Sequence, residues 1–161
     1  MKILAVDLGD ARTGLACCDR GELIASPVGT IQERRQEAIL EQVAAAAREQ
    51  KAEEIVVGHP VNMNGTLGPR SALCREFAQR LAGLVKVPVR LWDERGTTVT
   101  AIGYLNQTNT RGKKRKAVVD TVAATIILEN YLAYRRNHPQ DDPLEAVAPW
   151  VEEEPSKEET P

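Results

Sequence analysis

Short apolar runs divided by turn residues open the chain, and helical spacing of apolar residues replaces them further along. The pattern predicts, in order, strands at 2–8, 13–19 and 23–30, a helix at 33–50, a strand at 55–58, a helix at 69–85, a strand at 87–92, and helices from 97 or 98 to 106 and from 115 to 136. Strands joined by short turns form an antiparallel meander, whereas strands separated by helices need crossovers and run parallel. We therefore expect an α/β fold, with a five-stranded mixed sheet and helices on both faces.

Besides the helix at 33–50, whose apolar residues have helical spacing, two further predicted helices carry an apolar stripe. The helix at 69–85 has Leu73, Phe77, Leu81 and Leu84 on one side. The last helix has Ala123, Ala124, Ile127 and Tyr131 in one stripe, flanked by Val119 and Ile126, with Asp120 in its middle. A carboxylate on the core-facing side is costly unless it is compensated. A salt bridge or the first-turn backbone N–H groups can do this, and so can a divalent cation shared with other carboxylates.

Other carboxylates follow the predicted strands. Asp7 ends the first strand, where it is either a turn former or a site residue, and Asp93 and Glu94 follow the fifth strand. If these strands run the same way, their carboxylates meet at one sheet edge, and a helix on the face adds Asp120. Such hard oxygen ligands suit Mg²⁺ or Mn²⁺, which can activate a water and stabilise the leaving oxygen in phosphodiester hydrolysis.

Basic residues accompany these acids. Arg95 follows Glu94, and five cations fall within six positions at Arg111, Lys113, Lys114, Arg115 and Lys116. They predict contacts to a nucleic-acid backbone, although a charge run is also typical of a solvated loop. Arg12 orients a site carboxylate, binds phosphate, or pairs with Asp10 or Asp93.

The loop at 58–66 also follows a strand. Gly58 and Gly65 permit close approach to a phosphate, and Thr66 is a candidate for substrate contact or for capping the next helix. His59 is a candidate acid or base. A plain strand-to-helix turn is the alternative for the whole loop.

Composition limits the class of protein. The 161 residues correspond to one domain, predicted at 1–136, with a Pro- and Glu-rich tail of little regular structure at 137–161. The net charge is −2, and because the last eleven residues hold five Glu and one Lys, residues 1–150 carry +2. The cysteines Cys17, Cys18 and Cys74 fit small buried residues in a reduced compartment. We expect a cytoplasmic protein with no membrane segment and no His/Cys zinc site.

Four motifs in this order resemble the YqgF or RuvX proteins of bacteria, which have a ribonuclease H-like fold related to the RuvC Holliday-junction resolvase. They are Val6-Asp7-Leu8-Gly9 with Arg12-Thr13-Gly14, Val57-Gly58-His59-Pro60 with Asn64-Gly65-Thr66, Trp92-Asp93-Glu94-Arg95 with Thr97-Thr98, and Lys114-Arg115-Lys116 with Asp120, Ala123, Ala124 and Leu128. The resemblance implies a nuclease that matures the 5′ end of precursor 16S rRNA. Holliday-junction resolution is the alternative.

By position, the resemblance implies that Asp7, Glu94 and Asp120 form the acidic site, and it favours Glu94 over Asp93 as the ligand. His59, Asn64 and Gly96 depart from the residues usual in the family. Two other classes remain at this point, an actin-like or sugar-kinase-like ATPase and a noncatalytic nucleic-acid-binding module.

Overall fold

The computed structural model describes residues 1–59, 68–93 and 112–150, except for the side chains of 112–121. Its elements are β1 (Ile3–Asp7), β2 (Arg12–Cys18), β3 (Ala25–Gln32), α1 (Gln36–Glu49), β4 (Glu54–His59), α2 (Pro69–Ala82), β5 (Val89–Asp93), α3 (Gly112–Asn137) and β6 (Glu145–Ala146). The helix predicted to end at residue 106 and the last eleven residues lie outside this part of the chain.

One mixed sheet contains all the described strands, in the order β3-β2-β1-β4-β5-β6. β1, β2 and β3 pair antiparallel, which confirms the predicted meander. β4 and β5 add parallel strands beside β1, as the helical crossovers require. The two-residue β6, which the sequence pattern did not predict, pairs antiparallel with β5 as a sixth strand.

Helices cover both faces of the sheet, as expected. On one face, α1 and α2 bury the side chains Leu4, Val6, Ile55, Val57, Val89 and Leu91. On the other face, α3 buries Ile3, Ala5, Ala16, Cys18 and Val56. β1 and β4 are almost fully buried, because their alternate side chains enter one core or the other.

The structure confirms the apolar stripe predicted for α3 and only part of the one predicted for α2. In α3, the predicted stripe residues Ala123, Ala124, Ile127 and Tyr131 are all buried. In α2, Phe77 and Leu81 are buried, but Leu73 is 51% exposed, so its place in the stripe was wrong. Leu84 is 52% exposed and lies beyond the end of the helix. Besides Phe77 and Leu81, α2 buries the small residues Ser71, Cys74 and Ala78.

α3 begins three residues earlier than predicted, at Gly112 instead of Arg115. Lys113 and Lys114 therefore belong to the helix and not to the preceding loop. A glycine followed by cations is a poor signal for a helix start, because positive charge near the N-terminus opposes the helix dipole. None of the described helices is both long enough and apolar enough to cross a membrane.

The segment after α3 lies along β5 and α2. Val147 N–H donates to the Val89 carbonyl at 3.4 Å, and Trp150 N–H donates to the Gln79 carbonyl at 2.9 Å. The Arg80 guanidinium lies 4.4 Å from the centre of the Trp150 ring. Apart from the two-residue β6, residues 138–150 form no helix or strand, but part of this segment packs against the domain.

Candidate active site

Three parallel strands end at the same edge of the sheet. β1 ends at Asp7, β4 at His59 and β5 at Asp93. The register pairs Val6 with Val57 in β1 and β4, and His59 with Asp93 in β4 and β5. The carboxyl edge of the sheet therefore carries both strand-end acids, as the sequence predicted.

The two acids face opposite sides of the sheet. Alternation places Asp7 on the same face as Ile3 and Ala5, which pack against α3. The same alternation places Asp93 on the face of Val89 and Leu91, which pack in the core beneath α1 and α2. This register counts against Asp93 as the partner of Asp7.

Arg12 shares the face of Asp7. It is the first residue of β2, where alternation groups it with Gly14 and Ala16, and Gly14 pairs with Asp7 across the strands. Both Arg12 and Asp7 are partly exposed at this edge. A guanidinium beside a strand-end carboxylate suits phosphate binding or the orientation of the acid.

The length of α3 allows its backbone at Asp120 to reach the same edge. Tyr131 Oη donates to Glu54 Oε1 at 2.9 Å, and Glu54 pairs with Ile3 at the start of β1. Asp7 lies four residues beyond Ile3, about 13 Å along the strand. Asp120 lies eleven residues before Tyr131, about 16 Å along the helix axis. The helix packs on the face that Asp7 shares, and it is long enough for its backbone at Asp120 to reach the carboxyl edge.

His59 is part of a buried contact on the α2 side. Its Nδ1 lies 2.9 Å from Ser71 Oγ, and both residues are buried. Burial, followed by the nearby Arg75 charge, lowers the pKa of His59, although Asp93 and Glu145 oppose this shift. A neutral histidine in this position links β4 to α2.

The turn after Asp7 is tightly fixed. A Cβ on Gly9 would lie 2.0 Å from the Arg12 carbonyl oxygen, so this position requires glycine. Gly9 N–H donates to Thr13 Oγ1 at 3.5 Å. Arg70 donates to the Leu8 carbonyl and, at 2.6 Å, to Asp10 Oδ1. Sequence analysis missed Arg70, because no local pattern relates the start of α2 to a turn sixty residues earlier.

The other predicted site residues are not described at the level of side chains. Thr66, Glu94, Arg95 and Arg111 lie outside the described ranges, and Lys113, Lys114, Arg115, Lys116 and Asp120 lie in the part of α3 described by its backbone. Among the described side chains, no group of three His, Cys, Asp or Glu residues could hold a metal. A carboxylate site completed by Glu94 and Asp120 would contain oxygen donors alone, a set that fits Mg²⁺ or Mn²⁺.

Solved structures show the class to which this fold belongs. A Thermus thermophilus RuvC structure aligns with a TM-score of 0.55 at 14% identity, over 91% of this chain and 100% of that one. RuvC from T. thermophilus in complex with a Holliday junction substrate aligns with a TM-score of 0.58 at 16% identity, over 91% of this chain and 99% of that one. The fold is therefore RNase H-like, of the RuvC type.

Sequence comparison then gives the family. The model of the RuvX family, described as Holliday junction resolvase, matches residues 1–134, and the chain belongs to this family. A relative from Halothermothrix orenii is 41% identical over a match that covers 84% of this chain and 96% of the relative. A relative from Streptomyces coelicolor is 42% identical over a match that covers 89% of this chain and 88% of the relative. Both relatives carry the name "Putative pre-16S rRNA nuclease".

Proposed function

We propose that this protein is a metal-dependent endonuclease that hydrolyses phosphodiester bonds at the 5′ end of precursor 16S rRNA. The observation that carries the proposal is the position of Asp7. This residue ends a buried strand on the face that α3 covers, and α3 is long enough to reach the same edge at Asp120. A half-buried carboxylate at this edge is suited to binding a cation.

Asp7, Glu94 and Asp120 hold Mg²⁺ or Mn²⁺ in this proposal. The bound metal supplies Lewis acidity for water activation and for the charge on the leaving oxygen. Asp93 is left out, because its position in β5 directs it to the face opposite Asp7. RuvC-like nucleases generally use divalent ions, which supports the same donor set.

Basic residues hold the substrate backbone. Arg12, on the face of Asp7, contacts phosphate next to the acids. Thr66, Arg95 and the basic run Arg111, Lys113, Lys114, Arg115 and Lys116 extend this contact along the strand. Their charge offsets the repulsion between an acidic site and a polyanion.

We favour RNA as the substrate, because the relatives that are 41% and 42% identical are named for precursor rRNA. The RuvC complex with a Holliday junction and the family description make branched DNA the second candidate. A cytoplasmic location fits three buried cysteines that form no disulfide bond.

Cleavage of two labelled substrates under one set of Mn²⁺ conditions tests the proposal. One is an RNA with the precursor 5′ leader of 16S rRNA, and the other is a four-way DNA junction of similar length. We expect the RNA to be cut at a defined position at least ten times faster than the junction. Faster cutting of the junction would instead assign the resolvase activity.

Asp7→Asn tests the assignment of the acid in the same assay. We expect this variant to bind the RNA but not to cleave it. Asp19→Asn is the matched control, since Asp19 accepts hydrogen bonds from Leu23 and Ile24 in an exposed turn and an asparagine retains that acceptor. Equal cleavage by Asp7→Asn and the parent protein would refute the proposed site.

A further inference from the structure

The main chain directly after Asp7 is held by a residue from another element. Arg70, the second residue of α2, donates through one guanidinium nitrogen to the Leu8 carbonyl and through another to Asp10 Oδ1 at 2.6 Å. Asp10 is 85% exposed on its side chain, so its ion pair with Arg70 is screened by water. The partly buried contact with the Leu8 carbonyl is therefore the stronger restraint.

The first turn of α2, which presents Arg70, is itself fixed. Ser71 is fully buried, and its Oγ lies 2.9 Å from Nδ1 of His59 at the end of β4. The Ala72 N–H donates to the Gly68 carbonyl at 3.3 Å, which closes the turn. Adjacent residues of α2 thus connect β4 with the turn that follows β1.

Arg70 approaches this turn from the side opposite the Asp7 carboxylate. Leu8 packs against the core beneath α1 and α2, whereas Asp7 shares its face with Ile3 and Ala5 beneath α3. Arg70 therefore influences Asp7 through the main chain. Its guanidinium is a permanent cation without an acceptor atom and does not bind the metal itself.

We propose that Arg70 is a positioning residue, which fixes the Leu8 carbonyl and thereby aims the Asp7 carboxylate at the metal. This inference rests on the proposed function, in which Asp7 binds the ion. Residues that orient a ligand commonly change metal affinity by about 10- to 100-fold when they are removed. The same order of effect is expected at Arg70.

The test compares Mn²⁺ binding by calorimetry with RNA cleavage in the Arg70→Met variant. Methionine keeps the unbranched chain and removes every donor. We expect Mn²⁺ affinity to fall about ten-fold, cleavage to fall at limiting Mn²⁺ and recover at saturating Mn²⁺, and the KM for RNA to stay unchanged. Arg48→Met, on the exposed side of α1, makes the same charge change away from the turn and should match the parent.

Two further variants keep the inference open to refutation if Arg70→Met folds poorly. Arg70→Lys retains a cationic donor and should bind Mn²⁺ with an affinity between those of the parent and Arg70→Met. Asp10→Asn leaves the Leu8 contact intact and should bind Mn²⁺ like the parent. Parent-like Mn²⁺ affinity in Arg70→Met, or in Arg70→Lys if only that variant folds, would overturn the inference. A raised KM with unchanged metal affinity would overturn it as well, because it would make Arg70 a substrate contact.

Asp7→Asn in the same calorimeter separates this inference from the proposed function. If Asp7→Asn binds Mn²⁺ like the parent, the proposed metal site itself fails. If Asp7→Asn loses binding while Arg70→Met keeps it, the site stands and only the positioning role is rejected.

Discussion

Asp7 and Asp93 each end a parallel strand at the same edge of the sheet, yet they belong to different environments. Asp7 lies on the face covered by α3, whose apolar stripe leads along the helix to Asp120. Asp93 lies on the face of α2, next to the buried contact between His59 and Ser71. A shared sheet edge therefore does not define a site. The face set by strand register decides which acids can act together.

The largest expected difference lies between two neighbouring acids at the end of β5. Glu94→Gln should lower the rate of RNA cleavage about 1,000-fold, equivalent to about 4 kcal/mol, because it removes a metal ligand. Asp93→Asn should stay within a few-fold of the parent, since Asp93 lies on the opposite face. Single-turnover cleavage at saturating Mn²⁺ measures both. A larger loss of cleavage rate in Asp93→Asn than in Glu94→Gln would make Asp93 the metal ligand and contradict the contrast between Asp7 and Asp93.

A smaller effect separates stability from catalysis on the α3 face. Tyr131 is fully buried at the edge opposite the acids, where it donates to Glu54, and burial together with the Glu54 charge raises its pKa to about 12. Tyr131→Phe should lower the free energy of unfolding by about 1–2 kcal/mol, since Glu54 loses a buried donor. Urea denaturation measures this loss, and cleavage should be unchanged.

Tyr134→Phe is the control for that prediction. Tyr134 donates to Asp141 near the surface, so its removal should cost less than about 0.5 kcal/mol. Equal losses of unfolding free energy in the two variants would show that the buried hydrogen bond from Tyr131 to Glu54 contributes no more stability than the exposed one from Tyr134 to Asp141.

The α2 face should show a pH dependence that originates at His59. Because burial lowers its pKa in the folded protein, the unfolded chain binds more protons once the pH falls below the ordinary histidine value of about 6.5. The titration of His59 therefore lowers the free energy of unfolding as the pH falls. His59→Gln keeps a polar partner for Ser71 but does not titrate, so its stability should fall less than that of the parent between pH 7.5 and 5.5.

Urea unfolding at a series of pH values measures this difference between the parent and His59→Gln. The contributions of the carboxylates cancel, because both proteins contain them. His138→Gln is the control, because His138 is exposed and stacks on Tyr134. It should follow the parent curve. Parallel curves for the parent and His59→Gln would contradict a buried neutral histidine.

A further small effect concerns the ion pair that joins β6 to α2. Arg75 donates to both carboxylate oxygens of Glu145, and both side chains are partly exposed. Glu145→Gln should therefore lower the free energy of unfolding by less than about 1 kcal/mol, without changing cleavage. A larger loss in urea denaturation would show that this segment contributes more to the α2 face than its exposure indicates.

Local patterns predicted the features that depend on neighbouring residues. Apolar runs located the five longer strands, and helical spacing identified the buried stripe from Ala123 to Tyr131. The order of elements also predicted that Asp7 and Asp93 would share a sheet edge. These results follow from backbone geometry, which a single sequence contains.

Features that depend on contacts between distant segments could not be predicted in this way. The opposite faces of Asp7 and Asp93 follow from the register between strands, and the Arg70 contact with Leu8 joins residues sixty-two positions apart. The two-residue β6 has too little pattern of its own and forms only beside β5. Leu73 was misplaced because helical spacing does not show that α2 turns Ser71 and Cys74 to the sheet.

Mn²⁺ binding by calorimetry to the parent, Asp7→Asn and Asp93→Asn tests the central claim most directly, because it requires no choice of substrate. Asp7→Asn should lose measurable binding, while Asp93→Asn should retain the affinity of the parent. Retained binding in Asp7→Asn, or lost binding in Asp93→Asn, would contradict an active site on the α3 face of the sheet.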